Sequence, residues 1–173
     1  MKEQTISENS LLGKKISKAT ADERKKIWFL LFEKIQKKLT YKIVINDNYV
    51  VAKDNKDNTL ARMTFNVFND GGEQILEVEH KRILNKEVKL GTLMILQVLI
   101  NNPAVSIITV ILSENNASIY RAAREKGVSH FDASKFTSIY QEFSVCGFTE
   151  IVSNKSLKQT EISLPRITLK LAQ

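Results

Sequence analysis

Two carboxylates lie two residues apart in a segment that alternates like a β-strand. Glu77 and Glu79 belong to the stretch from Glu73 to Leu84. Because successive side chains of a strand point to opposite faces, these two carboxylates share one face. A carboxylate can act as a general base that takes a proton from an attacking group. The alternative is a structural role, in which both side chains face solvent or pair with Arg62 on the neighbouring strand.

The other reactive side chains match no catalytic or metal-binding pattern. His80, His130 and the single cysteine, Cys146, are widely separated in the sequence, and their spacing is not that of zinc ligands. The sequence contains no serine-hydrolase motif and no nucleotide-binding glycine motif. We therefore expect no metal, and we expect Cys146, next to Gly147, to be a small buried residue rather than a nucleophile.

The first half of the chain is predicted to be a helix followed by an antiparallel meander. Thr20 and Glu23 form a capping box that begins a helix running to about Lys38. Alternating apolar and polar residues, separated by turns rich in Asn, Asp and Gly, then predict strands over residues 41–45, 49–52, 59–68 and 73–84.

The hydrophobic period changes after residue 84, and the change predicts a parallel crossover. Gly91 to Asn101 is apolar nearly all round, as in a helix that is buried on most sides. Val105 to Leu112 is a continuous run rich in β-branched residues, as in a central strand covered on both faces. We therefore expect residues 73–84 and 105–112 to be parallel neighbours in one sheet. Helices over 113–126 and 132–145 and strands over 148–152 and 161–171 complete the chain.

Length and composition indicate one folded domain. The chain has 173 residues, of which 43% are hydrophobic and 26% charged, as in a globular domain with its own core. We expect residues 1–18 to be a mobile basic leader and residues 19–173 to be a single domain. The N-terminus has no apolar run that could serve as a signal peptide or a membrane span. A single cysteine fits a reducing compartment, so we expect a cytoplasmic protein. A signal for non-classical secretion would not be visible in the composition or in the N-terminal hydrophobicity.

The charge distribution predicts an anionic partner. The net charge is +7, and residues 1–42 alone carry +6. Such a balance is typical of proteins that bind nucleic acid, a membrane surface or a phosphorylated cofactor. The alternative is a solvated helix face without a partner. A nucleic-acid-binding module is supported by the charge alone, because the sequence contains no recognised nucleic-acid-binding motif.

The order of elements resembles that of the GNAT-type N-acetyltransferase superfamily. The acyl-CoA loop of that family has the pattern Gln/Arg-x-x-Gly-x-Gly/Ala and leads directly into a helix. Here the segment is Lys86-Glu87-Val88-Lys89-Leu90-Gly91, followed by Thr92. Main-chain N–H groups at a helix N-terminus can hold a diphosphate, and a glycine lets the backbone approach it closely. Gly91 matches the second glycine of the pattern, Lys86 replaces Gln/Arg, and Lys89 replaces the first glycine.

The resemblance implies a fold class and a co-substrate. The fold is α/β (α+β), with a mixed central β-sheet, an antiparallel N-terminal meander and one parallel βαβ crossover. The co-substrate is acetyl-CoA or another acyl-CoA. The residues that the resemblance assigns to it are Lys86, Val88, Lys89, Leu90, Gly91, Thr92 and Asn116.

The resemblance also implies direct acyl transfer from a thioester to an amine of a small molecule or a protein. Glu77 or Glu79 would act as the base. The tyrosine acid of the family lies four residues before a Gly-Phe pair, where this chain has Phe143. Tyr140, about one turn earlier, is therefore the candidate acid, and Tyr120 is a weaker one. The departures at positions 89 and 143 favour an alternative, a catalytically inactive GNAT-like fold that acts by binding another molecule.

Overall fold

The structure is a computed structural model that describes residues 15–37, 39, 41–83, 89–152 and 165–171. In chain order its elements are α1 (Ala21–Gln36), β1 (Lys42–Ile45), β2 (Tyr49–Lys53), β3 (Thr59–Asp70), β4 (Glu73–Ile83), α2 (Leu90–Asn101), β5 (Val105–Ile111), α3 (Glu114–Glu125), α4 (His130–Lys135), α5 (Ser138–Val145), β6 (Phe148–Ile151) and β7 (Arg166–Leu171).

The strands form one mixed sheet in the order β1-β2-β3-β4-β5-β7-β6. Strands β1 to β4 are an antiparallel meander. Strand β5 lies parallel to β4, from Gln74 opposite Val105 to Val78 opposite Val110. Strand β7 is antiparallel to both β5 and β6. The predicted fold class, with its single parallel crossover after the meander, is confirmed.

The crossover helix α2 forms the centre of the core. Ten of its twelve residues are buried, as the apolar run from Gly91 to Asn101 predicts. The helix packs against α1, α5 and the β1–β4 part of the sheet. Each fully buried Leu, Ile, Val or Met contributes about 1.5–3 kcal/mol to stability relative to an exposed one. This burial fixes the position of the start of α2 relative to the ends of β4 and β5.

Helix α1 begins with the predicted capping box. The Glu23 N–H donates to the Thr20 hydroxyl at 3.3 Å, and the Thr20 N–H donates to the Glu23 carboxylate at 2.8 Å. Trp28 joins the middle of this helix to the far edge of the sheet. Its indole N–H donates to the Cys146 carbonyl at 3.0 Å, and its ring stacks on Phe148 at 6.2 Å between centroids.

The packed part of the chain begins earlier than predicted. Residues 15–17 are helical, Ile16 is fully buried, and the Arg24 guanidinium donates to the carbonyls of Ile16 and Ser17. The apolar side chain of Ile16 belongs to the core, so the leader boundary at residue 18 is placed too late. Residues 1–14 of the predicted leader lie outside the described residues.

Two further boundaries differ from the prediction. The single helix expected from Asp132 is divided into α4 and α5, because the Thr137 hydroxyl accepts from the Tyr140 N–H and begins a new helix. Asp132 does not cap α4; the Ser129 hydroxyl accepts from its N–H at 3.1 Å. Strand β7 begins directly after Pro165, and residues 153–164, which include the start of the predicted last strand, lie outside the described residues.

Among the helices that the structure describes, none combines the length and the apolar character that crossing a membrane requires.

Candidate functional site

The parallel strands β4 and β5 separate at their carboxyl ends. Their pairing ends with Val78 opposite Val110. Beyond this point β4 continues to Ile83 with β3 as its partner, whereas β5 continues to Ile111 with β7 as its partner. In α/β sheets, ligands bind outside the carboxyl ends of parallel strands, where neighbouring connections diverge. The parallel pairing predicted for residues 73–84 and 105–112 is therefore present, and it ends before either strand does.

A cavity of about 280 Å³ lies at this separation. The strand ends, the first turn of α3 and one residue of α5 line it: Val78, Glu79, Lys81, Val110, Ile111, Leu112, Ser113, Glu114, Asn116 and Ile139. Pockets for drug-sized ligands usually measure about 300–1,000 Å³. This cavity therefore suits the slender part of a ligand rather than a whole nucleotide cofactor.

The structure separates the two predicted bases. Glu79 is exposed and lines the cavity. Glu77 accepts from the Arg166 guanidinium at 2.7 Å, and both side chains are partly buried. The alternative partner Arg62 lies instead over the Tyr49 ring, 4.9 Å from its centroid. Glu79 is thus the carboxylate of the pair that can meet a ligand in the cavity.

Asn116 is buried in the cavity wall and joins two helices. Its side-chain oxygen accepts from the N–H and the hydroxyl of Ser138, at 3.1 and 3.2 Å. Its amide N–H donates to the Ser113 hydroxyl at 3.3 Å. These bonds hold the first turns of α3 and α5 together, so Asn116 shapes the cavity whether or not it touches a ligand.

The predicted cofactor loop is described only from Lys89 onward; Lys86 and Val88 lie outside the described residues. Lys89 precedes the first residue of α2. Leu90 is fully buried and Thr92 is nearly so. What this turn can offer a ligand is therefore its main chain rather than the side chains of Leu90 and Thr92.

Gly91 is covered by a carboxylate that the sequence analysis did not identify. A Cβ added to Gly91 would lie 2.6 and 2.8 Å from the two Glu142 carboxylate oxygens. The Lys81 ammonium donates a hydrogen bond to the same carboxylate. The two side chains are only 13% and 19% exposed, so this ion pair is shielded from solvent. Lys81 and Glu142 are 61 positions apart, and no local pattern marks them as partners.

The candidate tyrosines lie elsewhere. Neither Tyr140 nor Tyr120 is one of the described residues that line the cavity. The Tyr140 hydroxyl donates to the Thr149 carbonyl at 3.4 Å, and burial raises the pKa of Tyr140. The Tyr120 hydroxyl shares a 2.7 Å hydrogen bond with His130 Nδ1. Both tyrosines remain predictions as the acid.

Cys146 is fully buried, and burial raises the pKa of its thiol. The prediction that Cys146 is a small buried residue is confirmed. Within the described ranges, no three His, Cys, Asp or Glu side chains are grouped as metal ligands.

Fold and cavity define an α/β protein whose mixed sheet opens between two parallel strands beside the start of a buried helix. No protein-family model and no curated protein matches its sequence. Among solved structures, the chain is similar to one described as "a putative phosphinothricin N-acetyltransferase", with a TM-score of 0.41, 13% identity and 75% of each chain covered. It is also similar to nourseothricin acetyltransferase, with a TM-score of 0.37, 12% identity, and 71% of this chain and 63% of that chain covered. Similarity at this level of identity and TM-score does not show a function.

Proposed function

We propose that the protein is an acyl-CoA-dependent N-acyltransferase that transfers an acetyl group to an amine by direct attack on the thioester. One observation supports this proposal most strongly. Parallel strands β4 and β5 stop pairing after Val78 and Val110, and a cavity of about 280 Å³ lies where they separate. A slender thioester arm can lie between them and hydrogen-bond to main-chain groups that no longer pair across the gap.

The described side chains fit the steps of such a reaction. The amine nitrogen attacks the thioester carbonyl carbon, the C–S bond breaks, and the thiolate leaves. Glu79, on the cavity wall, would accept the proton from the amine, directly or through a water. Main-chain N–H groups beside the strands would stabilise the developing oxyanion. The departing thiolate takes a proton from water, and the Ser113 hydroxyl, which lines the same cavity, can hydrogen-bond to that water. Gly91 and the first turn of α2 would face the diphosphate.

The proposal is tested by thermal unfolding with CoA and acetyl-CoA. A ligand at one hundred times its Kd adds about 2.7 kcal/mol, which raises the Tm of a chain of this size by about 5–10 °C. Ile111, 37% exposed, lines the cavity, and Ile119, 40% exposed, does not. Ile111→Trp should abolish the shift, and the matched control Ile119→Trp should keep it. A wild-type protein that shows no shift with millimolar CoA would contradict the proposal.

A binding protein with the same fold is the second candidate. The observation that favours it is the Glu142 carboxylate, which lies over Gly91 where a diphosphate would approach. In that case neither CoA nor acetyl-CoA shifts the Tm. The basic residues 1–42 would then bind a polyanion, with an affinity that falls steeply as salt rises. For either function we propose the reducing cytoplasm as the compartment, since the single cysteine is buried as a thiol.

A further inference from the structure

We propose that Lys81 contacts the diphosphate of the co-substrate, and that Glu142 is an internal competitor that must release Lys81 and Gly91 first. This inference rests on the proposed function, because it assigns a gate to the same site. Three observations support it: the position of Lys81 beside the cavity, the ion pair between its ammonium group and Glu142, and the carboxylate that covers Gly91.

Lys81 lies between the cavity and the start of α2. It follows the last β4 residue that pairs with β5, Val78, by three positions, and it lines the cavity. Its side chain is 13% exposed. A cation that is held at this depth normally has an anionic partner, because an unpaired buried charge is costly. In this structure the partner is Glu142.

The start of α2 favours an anion. The described residues supply no side-chain cap at Lys89, and the first turn carries no acidic residue. Unpaired N–H groups at the beginning of a helix give it a partial positive charge. Glu142, which belongs to α5, places its carboxylate against Gly91.

The carboxylate and a diphosphate cannot share this position. Both Glu142 oxygens would be within 2.8 Å of a Cβ on Gly91. The carboxylate therefore already occupies the space beside Gly91 that the absence of a side chain leaves open. A diphosphate there would also meet the repulsion of a like charge at short range. Removing the charge of Glu142 should therefore raise the affinity for a diphosphate on the order of tenfold.

The test measures binding by calorimetry with three probes: CoA, pantetheine, which lacks the diphosphate, and inorganic pyrophosphate. Glu142→Gln should bind CoA and pyrophosphate about tenfold more tightly than the wild type, with pantetheine unchanged. Adding Lys81→Gln should remove the gain. Glu150→Gln, at an exposed position of β6, is the control for a general loss of charge. If thermal unfolding shows that Glu142→Gln does not fold, Glu142→Asp replaces it, with a smaller gain expected because the charge is kept but drawn back.

The outcomes separate the gate from the function. If the wild type binds CoA and Glu142→Gln binds it no more tightly, the gate is overturned and the function stands. If no variant binds CoA or pantetheine but Glu142→Gln gains affinity for pyrophosphate, the function is overturned and the competition at Lys81 stands. If no variant binds any of the three probes, both are overturned.

Discussion

Replacing Gly91 by alanine should destabilise the wild-type protein but stabilise a variant that lacks Glu142. The new Cβ would lie 2.6 Å from a Glu142 oxygen, so the carboxylate must retreat by about 0.8 Å to reach the roughly 3.4 Å of ordinary contact. That retreat weakens a hydrogen bond between charged groups, which is worth about 1.5–3 kcal/mol. Alanine in a helix gains up to about 1 kcal/mol over glycine. If the retreat costs this hydrogen bond in full, the net expectation is a loss of about 0.5–2 kcal/mol in the wild type, against a gain of up to about 1 kcal/mol in Glu142→Ala.

Urea unfolding of the four proteins in the double-mutant cycle measures this directly. With the bond lost in full, the coupling between positions 91 and 142 is about 1.5–3 kcal/mol, and Gly91→Ala alone lowers the Tm by about 1–8 °C. The reasoning is refuted if Gly91→Ala changes the free energy of unfolding by the same amount and in the same direction in both backgrounds. In that case the carboxylate does not lie against the glycine in solution.

Three other changes test separate parts of the structure. Trp28→Phe removes the donor to the buried Cys146 carbonyl and should lower the free energy of unfolding by about 1–3 kcal/mol; a loss below about 0.5 kcal/mol in urea unfolding would contradict this. Glu79→Gln should lower kcat about 10²–10⁴-fold with CoA binding retained. Glu77→Gln, which breaks only an ion pair, should lower kcat less than about tenfold. A larger loss for Glu77→Gln than for Glu79→Gln would identify Glu77 as the base. Burial, and to a lesser extent Arg124, lowers the pKa of His130, so the unfolded chain binds the proton more readily and stability should fall as the pH drops below about 6.5. His130→Gln should flatten that loss between about pH 7 and 5, and an unchanged slope would exclude His130 as its source.

The central geometry of the site was predictable because it depends on local patterns. Residues 73–84 alternate as in a strand, residues 91–101 are apolar as in a buried helix, and residues 105–112 are rich in β-branched residues. A parallel crossover is the most economical arrangement of these three segments. The capping box at Thr20 was predictable for the same reason, since both partners lie within four residues. These features need no knowledge of what packs against them.

The missed features depend on tertiary contacts. Thr137 looks like an interior helix residue in the sequence, and only its hydrogen bond to the Tyr140 N–H shows that it begins α5. In that helix Ile139 lines the cavity and the adjacent Tyr140 turns toward Thr149. The packing of a short helix decides which of two neighbouring residues reaches the site. Glu142 was missed because its partners are in β4 and α2.

The strength of the Lys81–Glu142 pair sets how far this pair can oppose the binding of CoA, and that strength can be bounded. The pair is 13% and 19% exposed, so it is weakened somewhat by solvent, and a value of about 1.5–3 kcal/mol is reasonable for it. If a ligand must break the pair completely, its affinity falls by a factor of roughly 10–150, because each 1.4 kcal/mol is tenfold. A site with an intrinsic Kd of about 1 μM would then bind with a Kd of about 10–150 μM. A co-substrate at millimolar concentration would still fill it. The ion pair alone therefore makes the site weaker and not closed, and a complete failure to bind CoA would require an obstruction other than Glu142.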